Sequence, residues 1–286
     1  MILRIRDTLN KFFLLVTFFF GKTELINKLA LMRVIFLLSL LKAKFFFYRK
    51  GYSEAKKNLM KSSGCPIRIS HNGKLFNIRD TGDFFTIVAE RDIERAAKKI
   101  KGSVFIDVGA HIGKYSIILS DNFERVVSVE AENRNFAALK GNITLNGLDG
   151  KIMPVNKAAF SGNGKKLVLK VSKNDSVTHA VSDEALNVSN KEDFQEVESV
   201  SIDDLIADCG LNPADVDLIK IDAEGAEYPI LLGAKNILNS RRVKIIIEIW
   251  EENSGNYNNV KNMLTESGFA ISRISRDYYF VSPKIK

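Results

Sequence analysis

From residue 104 onward, short apolar runs alternate with segments of helical periodicity, and this alternation constrains the fold more than any other feature of the chain. Residues 104–108, 126–130, 216–221 and 243–249 are short, nearly continuous apolar stretches, which read as strands buried on both faces. Residues 114–120, 134–145, 228–238 and 258–267 carry helical periodicity, and each of them follows one of those strands. Strands joined through helices in this way predict a mostly parallel sheet with helices on both faces. Residues 269–274 and 278–281, around the turn 275–277, read as a closing antiparallel pair. Ahead of the core, residues 67–69 and 75–78 flank His71-Asn72-Gly73 as a short hairpin with a tight turn, and residues 90–101 read as a helix. Residues 152–160 and 166–171 are strand-like on either side of the turn 161–164, and 200–209 reads as a strand end and helix. The polar stretch 172–196 is too long for a simple connector, and such loops are often functional.

A chain of 286 residues holds one sizeable α/β domain and an appendage. The charge separates the two. Residues 1–62 contain thirteen Lys/Arg against three Asp/Glu, a balance of +10, which leaves −2 for the remainder of a chain whose formal charge is +8. A core of that balance gives no reason to expect a nucleic-acid footprint. Within residues 1–62, the apolar runs 12–20 and 29–41 fall short of the roughly 18–20 residues needed to span a bilayer, and the second contains Arg33. They predict helices lying in a membrane interface, with Lys42, Lys44, Arg49, Lys50, Lys56 and Lys57 toward anionic headgroups; packing against protein is the alternative. The boundary is expected between residues 62 and 63. Cys65 and Cys209 are far apart and belong to no Cys/His cluster, so no metal site is expected and a reducing, cytoplasmic setting fits, with the chain peripheral on the inner face of the membrane.

Three motifs carry chemistry. The first strand runs into Asp107-Val108-Gly109-Ala110-His111-Ile112-Gly113, where Gly109 and Gly113 permit a sharp turn and close approach of a ligand to the backbone. The helix start that follows favours an anionic group, and Asp107 favours an ammonium. That pairing suits a zwitterionic end of a cofactor better than a pyrophosphate. Glu130 ends the next strand 23 residues after Asp107, near the roughly 20-residue offset at which a carboxylate meets ribose hydroxyls. The third motif is Lys220-Ile221-Asp222-Ala223-Glu224-Gly225-Ala226-Glu227. Asp222 and Glu224 lie just past the carboxyl end of a strand, where open α/β sheets place ligands. Lys220 sits inside an apolar strand and needs a partner, for which Asp222 and Glu224 are the candidates.

With these residues, with Asn142 and Asn146 behind Glu130, with Ser201-Ile202-Asp203-Asp204-Leu205, and with Gly233 and Glu248, the sequence resembles the FkbM family of methyltransferases over roughly residues 103–269. The resemblance implies a Rossmann-like class I methyltransferase fold with a mostly parallel seven-stranded sheet, here preceded by N-terminal helices. It implies S-adenosylmethionine as cofactor and O-methylation of a hydroxyl on a sugar, glycan, glycolipid or related natural product. Asp107, Gly109, Ala110, His111, Gly113, Glu130 and Asn142 are then the cofactor-binding candidates, and Asp222 and Glu224 the catalytic ones, one of them taking the hydroxyl proton. His111 stands where the family often has Asn. The Asp/Asn-Pro-Pro-aromatic segment of amino-methylating nucleic-acid enzymes is replaced here by Asp222-Ala223-Glu224-Gly225. His179, in the polar stretch, is the reserve candidate for the base. Two other readings stay open: a dinucleotide oxidoreductase, although His111 takes the central glycine's place in its fingerprint, and a membrane-associated binding protein on a methyltransferase scaffold without catalysis.

Overall fold

The computed structural model describes residues 67–171, 180–182 and 194–284. The helices expected within residues 1–62, the boundary expected at 62/63, and His179 lie outside the described residues. The chain divides into two compact units, one holding described residues 67–89 and the other running from Glu90.

In the first unit, β1 (Ile67–His71) pairs antiparallel with β2 (Lys74–Ile78), with Ile67 opposite Ile78 and Ile69 opposite Phe76. Asn72 and Gly73 both take left-handed backbone angles, φ 53° and 77°, as a two-residue hairpin turn demands. The helix α1 (Thr81–Val88) follows, capped by Asp80, whose carboxylate accepts the Asp83 backbone N–H at 3.0 Å. No helix is expected there from periodicity, because Phe84 and Phe85, like Ile87 and Val88, are adjacent apolar residues that blur the helical pattern.

The second unit opens with α2 (Arg91–Ala97), shorter than the expected helix over 90–101 because turn bonds at Lys99 and Ile100 lead straight into β3 (Gly102–Val108). Then come α3 (Lys114–Ile118), β4 (Phe123–Val129), α4 (Asn133–Leu145) and β5 (Ile152–Val155). After the elements β6 (Ala158–Ala159), β7 (Lys166–Lys170), β8 (Ala180–Ser182) and β9 (Phe194–Val200), the alternation resumes. It runs through α5 (Ile202–Asp208), β10 (Val216–Ile221), α6 (Glu227–Leu232), α7 (Lys235–Ser240), β11 (Lys244–Glu248) and α8 (Ser254–Glu266), and ends in β12 (Phe269–Arg273) and β13 (Tyr278–Pro283).

The seven-stranded sheet has the order β12-β13-β11-β10-β3-β4-β5, and β13 alone runs against the others. Consecutive residues of β3 and β10, such as Phe105 and Ile106 or Leu218 and Ile219, point to opposite faces and are all fully buried. Both faces are therefore covered, as a parallel sheet requires. The expected helix 228–238 is two helices, because Gly233 passes so close to the Phe160 carbonyl that a Cβ there would collide with it.

A second sheet, of order β6-β9-β7-β8, corrects two expectations. The stretch 152–160 is not one strand: β5 stays in the main sheet, and β6 leaves it to pair parallel with β9. Within 172–196, residues 180–182 and 194–196 are strand rather than loop. This sheet closes over a small core of its own, formed by Ala158, Phe160, Leu167, Leu169 and Val197.

Candidate active site

The first motif forms a cradle at the carboxyl end of β3. Gly109 and Ala110 both donate to the Val129 carbonyl at 3.0 Å, and Asp222 N–H donates to the Val108 carbonyl at 3.1 Å, so three strand ends are tied together. Gly109 has φ 75°, and a Cβ on it would overlap the Asp222 carbonyl. Only glycine satisfies both conditions. Gly113, at φ 94°, starts α3 beneath Leu139, whose methyl lies 2.7 Å from where a Cβ would be. Asn142 supports the loop from behind, its Nδ2 donating to the Ile112 carbonyl at 2.9 Å.

Asp107 is fully buried. Its Oδ2 accepts the Ser116 N–H at 2.9 Å and the Ser116 hydroxyl at 2.6 Å, and Ser128 donates onward to Ser116 at 2.7 Å. Among the described residues its Oδ1 has no hydrogen-bond partner. Burial raises its pKa, against the opposing pull of Lys220 and the Ser116 bonds.

Glu130 stands at the end of β4, buried. One carboxylate oxygen accepts the His111 N–H at 2.8 Å and the other the Glu132 N–H at 2.9 Å. Burial nonetheless pushes its pKa up to about 7, the backbone bonds offsetting only part of that cost. Each oxygen keeps a lone pair for further donors. The turn after it is fixed by amides: Asn156 donates to the Glu130 and Ala131 carbonyls at 2.9 and 3.2 Å, and Gln195 of β9 donates to Ala131 at 2.8 Å and accepts from Asn133 N–H at 3.1 Å.

The third motif separates into different roles. Lys220 finds its partner in Asp222, at 2.8 Å, and its ammonium also lies 4.8 Å from the centre of the Tyr115 ring. Burial works against the charged ammonium, but the carboxylates of Asp222, Asp107 and Glu90 prevail and raise its pKa. Burial likewise works against the Asp222 carboxylate, yet Lys220 together with hydrogen bonds from Glu248, Lys220 and Tyr278 holds it well below the usual range. Glu248, at the end of β11, is pushed in the opposite direction by burial and by the Asp222 charge, so it holds the proton that the two share. Tyr278 lies 2.8 Å from Asp222 and 3.1 Å from Glu90, and Tyr115 donates to Glu90 at 2.8 Å.

Glu224 has a left-handed backbone, φ 52°, and its Oε2 is buried with no hydrogen-bond partner among the described residues. Burial, then the charges of Asp222 and Glu227, push its pKa up to about 8 despite Lys220. Glu227 plays a structural part: it accepts Gly225 N–H at 2.9 Å and the Asn256 amide at 2.6 Å.

Sequence reasoning named Asp107, Glu130, Asp222 and Glu224, and the structure places all four at adjacent strand ends. It did not name Glu90, Tyr115 or Tyr278 for the site. No spacing links them to the motifs; they meet only because β13 is inserted beside β11 and α2 precedes β3. Among the described residues no cluster of His, Cys, Asp and Glu is arranged to hold a metal.

Residues 107–271 match the model of the methyltransferase FkbM domain, more than half of the chain. The chain belongs to the FkbM methyltransferase family. The cofactor of this domain is S-adenosylmethionine. The FkbM domain here fits that ligand: Asp107 leaves a buried oxygen open, Gly109 leaves the room a side chain would fill, and Glu130 keeps lone pairs for hydroxyl donors. Among solved structures, the chain is similar to an FkbM methyltransferase from Methylobacillus flagellatus KT, with 19% identity and a TM-score of 0.44, over 63% of this chain and 43% of that one. It thus spans less than half the length of that protein. It is similar also to TYW2 from M. jannaschii, in complex with AdoMet, with 15% identity and a TM-score of 0.41, over 76% and 83% of the two chains. A third similar structure is precorrin-8w decarboxylase from Methanobacterium thermoautotrophicum, with 14% identity and a TM-score of 0.39, over 68% and 89%. No curated protein sequence matches the chain.

Proposed function

We propose that this FkbM-family chain is an O-methyltransferase that transfers the methyl group of S-adenosylmethionine to a hydroxyl of a sugar, glycan, glycolipid or related natural product. In this reading residues 1–62 hold it at an anionic membrane surface. Glu130 receives the ribose hydroxyls, Asp107 and the loop from Gly109 through Ala110 and His111 to Gly113 receive the methionine end, and Asn142 keeps that loop in place. When bound, S-adenosylmethionine supplies a methyl group on a sulfonium.

The observation that carries the reading is the split between Asp222 and Glu224. Asp222 is kept ionised by Lys220, Tyr278 and Glu248, so it is a weak base and a good counter-charge for a cation. Glu224 has an oxygen without a partner and a pKa of about 8, so its ionised form is a strong base for a carboxylate. Glu224 takes the acceptor's hydroxyl proton, and a cation bound beside it favours the ionised form it needs. Holding the hydroxyl in place supplies much of the remaining acceleration.

The test is incubation of the purified full chain with isotopically labelled S-adenosylmethionine and a lipid and glycan extract of the source cell. Mass spectrometry should find the label as a methyl ether. Label on nitrogen or carbon would overturn O-methylation, and cofactor binding without any transfer would favour a scaffold without catalysis.

A further inference from the structure

The chain has a single tryptophan, Trp250, and it is 39% exposed, whereas Tyr115 and Tyr278 at the strand ends are buried. It lies two residues beyond Glu248, so its Cα is within roughly 7 Å of that residue's Cα, and Glu248 in turn meets Asp222. The turn that displays it is held on several sides. Ile249 N–H donates to the Asp277 carbonyl at 2.7 Å, Asn253 N–H to the Trp250 carbonyl at 3.0 Å, Arg273 pairs with Glu251, and the Tyr279 hydroxyl donates to Glu251 at 2.9 Å. The facing loop is the one that carries Glu224: Asn256 bonds Glu227, and Asn253 approaches Gly225.

An exposed aromatic on a fixed turn loses little freedom when a ligand covers it. The charge around it selects the ligand. Between residues 221 and 234, and again between 245 and 260, there is no Lys or Arg, whereas Asp222, Glu224, Glu227, Glu248, Glu251 and Glu252 all lie there. Arg273, the last residue of β12, pairs with Glu251, and Arg276, in the turn before β13, pairs with Glu252 at 3.3 Å and with Asp277 at 3.6 Å. The charges there are matched, Asp222 by Lys220, Glu251 by Arg273 and Glu252 by Arg276, and Glu248 holds its proton. A phosphate backbone or an anionic sugar therefore finds no unmatched cation among these residues, whereas their carboxyl oxygens accept hydrogen bonds from hydroxyls. An aromatic face beside carboxylates matches the ring of a neutral sugar, with C–H groups on one face and hydroxyls on its edge.

We infer that Trp250 is the stacking platform of the acceptor subsite and that the ring it receives is an uncharged sugar. This rests on the O-methyltransferase reading, and it adds the class of acceptor and the residue that selects it.

Because Trp250 is the only tryptophan, its emission reports the subsite without any turnover. The full chain, saturated with S-adenosylhomocysteine, is titrated with methyl glycosides of glucose, galactose and rhamnose, with the methyl glycoside of glucuronic acid, and with polyuridylate. The expected result is a saturable change with a neutral glycoside, and binding about tenfold or more weaker for the glucuronide. By calorimetry, Trp250→Ala should weaken the neutral glycoside about tenfold or more, and Trp250→Phe should retain most of the affinity, with S-adenosylhomocysteine binding unchanged in both. No saturable change with any neutral glycoside while S-adenosylhomocysteine binds, a response to polyuridylate instead, or full glycoside affinity in Trp250→Ala would overturn the assignment. Failure of the underlying reading would register separately, as label on an atom other than a hydroxyl oxygen in the transfer experiment.

Discussion

Asp222 and Glu224 are two residues apart, share a strand end and are chemically similar, yet their surroundings give them different work. Lys220, with its 2.8 Å contact to Asp222, is nearer to one than to the other, and Glu224 is left with burial and like charge. If Glu224 is the base, the transfer rate should rise with pH as that carboxyl ionises, levelling near or somewhat below pH 8 once a bound cation has lowered its pKa. Glu224→Gln should slow transfer by about 10²–10⁴ and flatten that rise, with cofactor affinity nearly intact. Steady-state rates across pH at saturating cofactor check both. Glu130 gives a second pH signature. With a folded pKa of about 7 it must shed a proton before it can accept two hydroxyls, so S-adenosylhomocysteine affinity should strengthen with rising pH below 7 and level above it. In the absence of ligand the sign is opposite for stability, because burial of the ionised carboxylate erodes it as pH climbs from the ordinary carboxylate range toward 7. Glu130→Gln should weaken S-adenosylhomocysteine about tenfold or more and remove the pH slope, both readable by calorimetry. Persistence of the slope in that variant would place the titrating group elsewhere.

At the scale of elements, the cradle depends on the end of β3 and the end of β10 passing within touching distance. Gly109→Ala puts a methyl against the Asp222 carbonyl and forces a left-handed alanine, and should cost about 2–4 kcal/mol of stability together with cofactor affinity. Gly141 in α4 is exposed, with nothing within 4 Å of a built Cβ, so Gly141→Ala should stabilise by about 0.5–1 kcal/mol. Denaturant unfolding of the two variants compares them directly. The same contrast explains what was legible beforehand. Strands buried on both faces announce themselves by composition alone, and β10 has the bounds that its sequence gives, Val216–Ile221. Glycines and acids at strand ends are legible because their neighbours in sequence are also their neighbours in space. The second sheet was not legible: β6 has only Ala158 and Ala159, and its pairing with Ser199 and Val200 is a long-range choice that no local pattern encodes. Glu90, Tyr115 and Tyr278 were hidden for the same reason, since Tyr278 reaches Asp222 only across the pairing of β13 with β11, where it lies opposite Glu248.

Across the whole molecule, charge is divided unevenly, +10 in residues 1–62 and −2 in the rest, so the methyltransferase core itself has no net attraction to an anionic surface. Nor do the described residues contain a helix long and apolar enough to cross a membrane. In the proposed reading attachment to lipid comes from residues 1–62, and electrostatics should dominate it, because the two apolar runs there are interrupted and short. This has a measurable form. Flotation with vesicles containing phosphatidylserine should carry the full chain, vesicles of phosphatidylcholine alone should carry far less, and raised salt should weaken the association as the charges are screened. Each Lys or Arg near an anionic surface contributes about 1 kcal/mol, so replacing Lys42, Lys44, Arg49, Lys50, Lys56 and Lys57 together with Gln should lower the partition coefficient by about three orders of magnitude or more. Calorimetric binding of S-adenosylhomocysteine by the same variant separates loss of attachment from loss of fold. If the unsubstituted chain stays with membranes through alkaline carbonate extraction, the apolar runs insert rather than lie at the interface, and the electrostatic account of attachment fails.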